Sequence, residues 1–338
     1  MKNDILLNQN KNQESIKTPT FSCFTLCDDC FLKCEMCHKW KDDIYIKSSR
    51  GKMGLDDWKR CASSLREFAP DNFVINFGGG EVTTVPWLFD IVHYCYNLGF
   101  KTNIATNGFL IDERMARKMS EAGLDYINIS LDSLNPQIHD QLRGKKGVYQ
   151  KAMEAISLVF DYSKNTAISI CSIIMEQTLS GIVDLVKWVQ DNKKISMIYL
   201  MALMQPNNTH PDIRWNREKF AHLWPSNSQK IQEVLDELID LKLKGFKICN
   251  TVEHLQAFKA YFKNPREFVK KGTCHIDQAI HISSIGDVFM CYQHKELGSA
   301  RQNDLKELWT SELSENIRAQ IKRCQENCHF LLNCKFEE

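Results

Sequence analysis

Between residues 21 and 204, short β-branched and aromatic runs alternate with stretches whose apolar positions recur every three or four residues. FSCFTL (21–26), NFVINF (72–77), KTNIAT (101–106), DYINISL (125–131), AISICSI (167–173) and SMIYLMAL (196–203) read as strands. Most are too continuously apolar for a sheet with one wet face, which predicts a parallel sheet covered by helices. Between them, Leu55, Trp58, Ala62, Leu65 and Phe68 fall on one helical face. Pro86 opens and Gly99 closes a helix over 86–98, and Gly123 closes another over 112–122. Segments 147–162 and 180–192 complete the set, with Ser180 as an N-cap. Strands alternating with helices predict an α/β fold, a partial (β/α)6 TIM-type barrel, with an open doubly wound sheet as the alternative. Either architecture puts ligand chemistry at the carboxyl ends of the strands.

The pattern changes after residue 204. MQPNNTHPDIRW reads as a loop, and residues 228–244 as an amphipathic helix built on Ile231, Val234, Leu235, Leu238 and Leu241. FKICN reads as a short strand and 253–263 as a helix. IHISSIGDVFMC predicts a hairpin turning at 284–287, followed by short helices near 304–309 and 312–323. The expected organisation is a mobile leader over 1–20, a core over 21–204, a helical connecting segment over 205–272 and a small cysteine-rich C-terminal domain over 273–338.

A chain of 338 residues suits one large domain with a small one. A net charge of +1 argues against nucleic acid or an anionic membrane as partner, and no apolar run reaches spanning length. The polar N-terminus lacks a secretory apolar core. Fourteen cysteines in such a chain point to reduced thiols, a cytoplasmic location and, where they cluster, metal. Five lie in 23–37 and five in 274–334, while Cys61, Cys95, Cys171 and Cys249 read as small buried hydrophobes.

CFTLCDDCFLKCEMC (23–37) contains the spacing C-x3-C-x2-C twice, as Cys23–Cys27–Cys30 and as Cys30–Cys34–Cys37. Cys23 lies inside the first strand and Cys27 at its end, and a strand points its side chains independently of the loop that follows. Cys30, Cys34 and Cys37 share that loop, and Met36 is an easier neighbour for an anionic thiolate cluster than Asp29. The second register is therefore the chemical one. Three thiolates on a 4Fe–4S cluster leave one iron open to a small molecule, whereas electron-transfer clusters use four. A zinc site of Cys27, Cys30, Cys34 and Cys37 is the alternative. FGGGE (77–81) follows the second strand: its glycines permit close approach to a ligand, and Glu81 adds an acceptor beside the cysteine loop. A glycine-rich turn with a surface glutamate is the plainer description. No GK[ST] follows, so a phosphate loop is excluded.

CFLKCEMC (30–37) with GGGE (78–81) resembles the radical S-adenosylmethionine (radical SAM) superfamily, as do ATNG (105–108), ISLDS (129–133) and QLRG (141–144). Met36 stands where the family more often has an aromatic residue. The resemblance implies that SAM chelates the open iron of a three-cysteine 4Fe–4S cluster. One electron, from a reductant such as flavodoxin or ferredoxin, then cleaves it to methionine and a 5′-deoxyadenosyl radical that abstracts a hydrogen atom from a substrate C–H bond. It further implies that Gly78, Gly79, Gly80 and Glu81 hold the methionine amino group, with Ser130 and Arg143 near its carboxylate or ribose.

The tail, C-x11-G-x4-C followed by C-x3-C-x5-C, resembles the SPASM or twitch auxiliary-cluster domain, although the family's usual spacing in the second part is x2. Five cysteines allow one auxiliary 4Fe–4S cluster, ligated by Cys274, Cys291 and two of Cys324, Cys328 and Cys334. A structural zinc knuckle is the alternative there. Relatives of this kind oxidise or epimerise small molecules and sugars, or modify peptides. Because about twenty residues precede the first strand, too few for a peptide-recognition domain, the expected substrate is a small molecule or carbohydrate, with a peptide maturase next. His210, Asp212 and Arg214 in NNTHPDIRW are candidate polar contacts on an otherwise solvated loop. A zinc-stapled binding protein is the reading from another class, disfavoured by the neutral charge and barrel pattern.

Overall fold

The structure, a computed structural model, describes residues 18–40, 51–207, 209–210, 212–270, 274–334 and 336; the expected leader lies outside them except for 18–20. The core runs β1 (Phe21–Cys27), α1 (Leu55–Arg66), β2 (Val74–Gly79), α2 (Leu88–Asn97), β3 (Lys101–Thr106), α3 (Glu113–Glu121) and β4 (Tyr126–Ser130). It continues with α4 (Pro136–Arg143), α5 (Val148–Tyr162), β5 (Ala167–Ile174), α6 (Ile182–Asp191) and β6 (Met197–Ala202). Successive strands lie side by side, and all five pairings from β1 to β6 are parallel. This is the expected partial (β/α)6 barrel.

Each strand alternates. Phe24, Ile75, Phe77, Ile104, Ile127, Ile129, Ile170, Ile198 and Leu200 are fully buried in the apolar core. The opposite set includes Cys23, Thr25, Asn76, Gly78, Asn103, Asn128, Ser130, Ser169 and Cys171, and these side chains line a central cavity. A packed barrel fills that space with bulky branched residues. Here small and polar residues leave it open.

Both barrel edges are closed by the rest of the chain. Beyond the core come α7 (Ser228–Leu243), α8 (Val252–Lys263), β7 (Ala279–Ile282), β8 (Asp287–Phe289), β9 (Gly298–Ser299), α9 (Leu305–Trp309), α10 (Glu312–Arg323) and α11 (His329–Asn333). β7 pairs parallel with β1, and the expected hairpin forms between β7 and β8, so the sheet continues to nine strands. Along the free edge of β6, Ile198 bonds to Lys247 and Cys249 through backbone groups. The Asn250 amide then pairs with both backbone groups of Leu200, at 2.8 and 2.9 Å. Asn333 does the same for Ala202, at 2.8 Å each. Two side-chain amides thus stand in for a seventh strand and satisfy an edge that would otherwise be open to pairing. FKICN, expected as a strand, contributes only an isolated bridge, Ile248 to Ile198.

Two helices were not expected. α4 has its signals in the sequence: Asn135 caps the N–H groups of Gln137 and Ile138, and Pro136 takes the first turn. α11 is five residues long and carries little periodicity.

Candidate active site

The loop after β1 is held by two close backbone approaches. Gly80 N–H donates to Cys27 O at 2.9 Å and Glu81 N–H to Asp29 O at 3.0 Å. A Cβ on Gly79 would sit 2.0 Å from Cys27 O, and one on Gly80 2.0 Å from Asp29 O; Gly79 also has φ +135°. These glycines therefore let β2 lie against the cysteine loop. On the other side, Glu35 N–H donates to Leu142 O at 2.9 Å, and a Cβ on Gly144 would meet Lys33 O at 2.3 Å. GGGE and QLRG thus grip the same loop from opposite sides.

Within that loop Cys30, Cys34 and Cys37 lie in electrostatic reach of one another. Burial pushes the Cys34 thiol up to about 11, Arg143 opposes this, and Cys37 and Cys30 add to it. Burial also raises Cys30, with a further push from Cys37. Cys27 Sγ lies 3.5 Å from Glu81 O, and burial raises its thiol, with the Glu81 charge adding to this. Met36 is buried in the core. Among the described residues, no group of three His, Cys, Asp or Glu side chains converges on a single metal ion.

Glu81 departs from expectation. It is 1% exposed. Its Oε1 accepts from Thr83 N–H (3.2 Å), Thr83 Oγ1 (2.7 Å) and Thr106 Oγ1 (2.6 Å), and its Oε2 accepts from Asn107 N–H (2.8 Å). The carboxylate is committed to protein donors, and Gly78 and Gly79 line the cavity instead. Ser130 faces the cavity from the end of β4. Arg143, expected near the SAM carboxylate or ribose, is turned onto buried Asp132: Nε and Nη2 reach Asp132 Oδ2 at 2.8 and 2.6 Å. Asp132 Oδ1 accepts from Ile173 N–H at 3.2 Å, and Asp132 N–H donates to His139 Nδ1 at 3.1 Å. Thr106 and Asn107 of ATNG and Asp132 of ISLDS were within recognised motifs, but nothing local in the sequence assigned them partners.

In the tail, four of the five cysteines come together. Burial raises Cys274 to about 11, with Cys328 and Cys324 adding, and raises Cys291 to about 12, with Cys328, Cys274 and Cys324 adding. Cys334 lines the central cavity, as Cys328 also does; desolvation there pushes its thiol up, and the thiols adding to this are Cys23, Cys328 and Cys171. The sequence left two of Cys324, Cys328 and Cys334 open; the geometry groups Cys324 and Cys328. Cys61 and Cys95 are buried as expected, but Cys171 and Cys249 line the cavity.

The cavity encloses about 1600 Å³, beyond the roughly 300–1,000 Å³ of ordinary small-ligand sites. Among the described residues, its charged lining side chains are Lys39, Asp212, Arg266 and Glu326, which cancel. Asp212 comes from the loop singled out above; Arg214 instead pairs with Glu218 at 3.0 Å, and His210 is exposed.

The sequence model of the Radical SAM superfamily matches residues 24–189, and that of SPASM, an iron–sulfur cluster-binding domain, matches 274–335. The chain belongs to the radical SAM superfamily. It is similar to Fe-coproporphyrin III synthase of Methanosarcina barkeri, 24% identical over 87% of this chain and 74% of that one. It is also similar to PqqA peptide cyclase of Bradyrhizobium diazoefficiens, 24% identical over 44% and 38%. Among solved structures, native anSMEcpe with bound AdoMet shares the fold at TM-score 0.66 and 18% identity, over 94% of this chain and 88% of that one. Streptococcus suis SuiB bound to S-adenosylmethionine does so at 0.65 and 17%, over 93% and 71%. This radical SAM protein is an enzyme whose cofactors are SAM and 4Fe–4S clusters. Its donor sets fit them: three mutually coupled thiols on one loop, and four in the tail. No helix among the described residues is long and apolar enough to cross a membrane.

Proposed function

We propose that this enzyme cleaves SAM at Cys30, Cys34 and Cys37 and directs the radical to an uncharged polar segment of a peptide held in the central cavity. When bound, the cluster and SAM supply a 5′-deoxyadenosyl radical able to take a hydrogen atom from an unactivated C–H bond. Gly78 and Gly79 offer backbone acceptors for the methionine ammonium at the cavity rim, and Ser130 offers a hydroxyl to the rest of SAM. Glu81 braces the ends of β2 and β3. Arg143, paired with Asp132, sets a positive charge beside the Cys34 thiolate and so favours its deprotonated form. Cys274, Cys291, Cys324 and Cys328 would hold the auxiliary cluster.

The observation that carries the peptide reading is the lining of the cavity. Among the described residues, amides, hydroxyls, thioethers and aromatic rings dominate it, with two cations against two carboxylates. A substrate bearing several carboxylates, such as a tetrapyrrole, would find few cations among the described lining residues. Peptide groups find matching neutral donors and acceptors. SuiB bound to its precursor peptide SuiA and PqqA peptide cyclase lend support by similarity. The second reading is oxidation or epimerisation of a small molecule or carbohydrate, favoured by Thr25, Ser130 and Ser169, whose hydroxyls suit a sugar equally well.

The test incubates the reconstituted holoenzyme with SAM and dithionite against a peptide library and, separately, sugars and polyols. The expected result is 5′-deoxyadenosine formed in step with a mass change in one peptide group. Stimulation by sugars alone would transfer the conclusion to the second reading.

A further inference from the structure

His281 has no counterpart among the sequence candidates. It lies on β7, is 2% exposed and faces the cavity. Neither ring nitrogen has a hydrogen-bond partner among the described residues. The ring is held in place by others: Phe330 stacks on it at 4.7 Å and 16°, Phe289 at 5.5 Å and 27°, and Phe21 meets it edge-on at 5.7 Å. A stacked imidazole with both nitrogens unmade is an anomaly in a folded protein, where buried polar groups find partners.

His281 is also one end of a row. Cys23 is its register partner on β1, Asn76 is the partner of Cys23 on β2, and Asn103 is the partner of Asn76 on β3. All four line the cavity. Asn103 Nδ2 donates to Asn76 Oδ1 at 2.8 Å, and Asn76 Nδ2 to Ser22 O at 3.2 Å. Asn103 Oδ1 is left without a partner among the described residues. The row therefore presents unmade hydrogen bonds at both ends. It lies two residues before Gly78, about 7 Å along the strand from the rim where SAM is placed.

We propose that His281 binds an uncharged group of the substrate that both donates and accepts hydrogen bonds, with Asn103 at the far end of the same row. Where the substrate is a peptide, that group is an amide; the position of the row beneath the SAM rim rests on the function proposed above. Burial depresses the imidazole to about 3, so it stays neutral at working pH and suits an amide or hydroxyl better than a carboxylate. The aromatic stack fixes the ring before ligand arrives, which limits the ordering cost of binding.

The test compares thermal midpoints of reconstituted holoenzyme with and without N-acetylalanine methylamide, erythritol or acetate. His281→Phe keeps the stack and removes both nitrogens. Its midpoint is expected to hold or rise by about 2 °C, because an unpaired polar ring becomes an apolar one. The amide-induced rise seen in the wild type is expected to vanish. His281→Asn keeps a donor and an acceptor but loses stacking, so it should lower the midpoint and retain part of the response. General stabilisation by a polyol raises all three proteins alike and cancels. A response to erythritol alone, lost in His281→Phe, supports the His281 site and overturns the peptide reading. A midpoint lowered by about 2 °C or more in His281→Phe, an undiminished amide response in that variant, or a preference for acetate overturns the proposal.

Discussion

Glu81 Oε2 accepts the backbone N–H of Asn107 at 2.8 Å, tying the end of the GGGE run to the end of β3. Its other oxygen also faces a backbone N–H, that of Thr83. In Glu81→Gln, the amide nitrogen meets a donor whichever way the side chain is flipped. The expected cost is about 1–3 kcal/mol, read as a lowered thermal midpoint together with weaker SAM binding. An unchanged midpoint with lost SAM affinity would return the carboxylate to direct contact with SAM.

Gly80→Ala places a methyl 2.0 Å from Asp29 O, while a Cβ on Gly78 meets nothing closer than Cys23 Sγ at 3.7 Å. Gly80→Ala should therefore displace the cysteine loop and lose about four irons per chain, the content of one cubane. Gly78→Ala should keep its iron and alter SAM binding only. Chemical iron assay on the two variants separates the outcomes, and equal iron in both would break the link between the glycines and the loop.

Cys324 and Cys328 act on the thiols of Cys274 and Cys291, whereas Cys334 is surrounded by Cys23, Cys328 and Cys171. Cys328→Ser is expected to lose about four irons while SAM cleavage persists at the separate three-cysteine site. Cys334→Ser is expected to keep full iron content. The reverse pattern in the same assay would assign Cys334 as the ligand.

Burial depresses His139 to about 4 and His281 to about 3, against about 6.5 in an unfolded chain. Between those values the unfolded state binds more protons, so stability rises with pH there and is lost as pH falls from 6.5 toward 4. Each residue contributes a slope of about 1.4 kcal/mol per pH unit in that window. Urea midpoints measured from pH 7 to pH 5 should fall, and His281→Phe should flatten the fall by about a third, since burial also depresses His329 to about 4. A midpoint independent of pH in the variant and wild type alike would show that neither histidine is neutral for the reason given.

Much of this was local information. The apolar periods marked the six core strands, and Gly99 and Gly123 marked helix ends with positive φ. The C-x3-C-x2-C spacing placed Cys30, Cys34 and Cys37 together in one loop because loop residues close in sequence are also close in space. Asn135 and Pro136 carried the start of α4 in plain view, but an eight-residue helix offers too few turns for periodicity to stand out.

What the sequence could not express were relationships across distance. Ser22 bonds to Ile280 over 258 positions, and nothing in either segment names the other. The strands read as nearly continuous apolar runs, and only closure of the sheet showed that their second, smaller and more polar face encloses a cavity. The three last cysteines are equivalent as text. Helix α11 separates Cys328 from Cys334, and Asn333, anchored to both backbone groups of Ala202, holds the Cys334 end against β6. His281 reads as one more residue in a buried strand. Its unmade hydrogen bonds exist only because β7 packs beside β1 and stacks Phe289 and Phe330 around the ring. Local sequence sets which groups a segment can offer; tertiary packing decides which of them are satisfied, and the unsatisfied ones are left for a ligand.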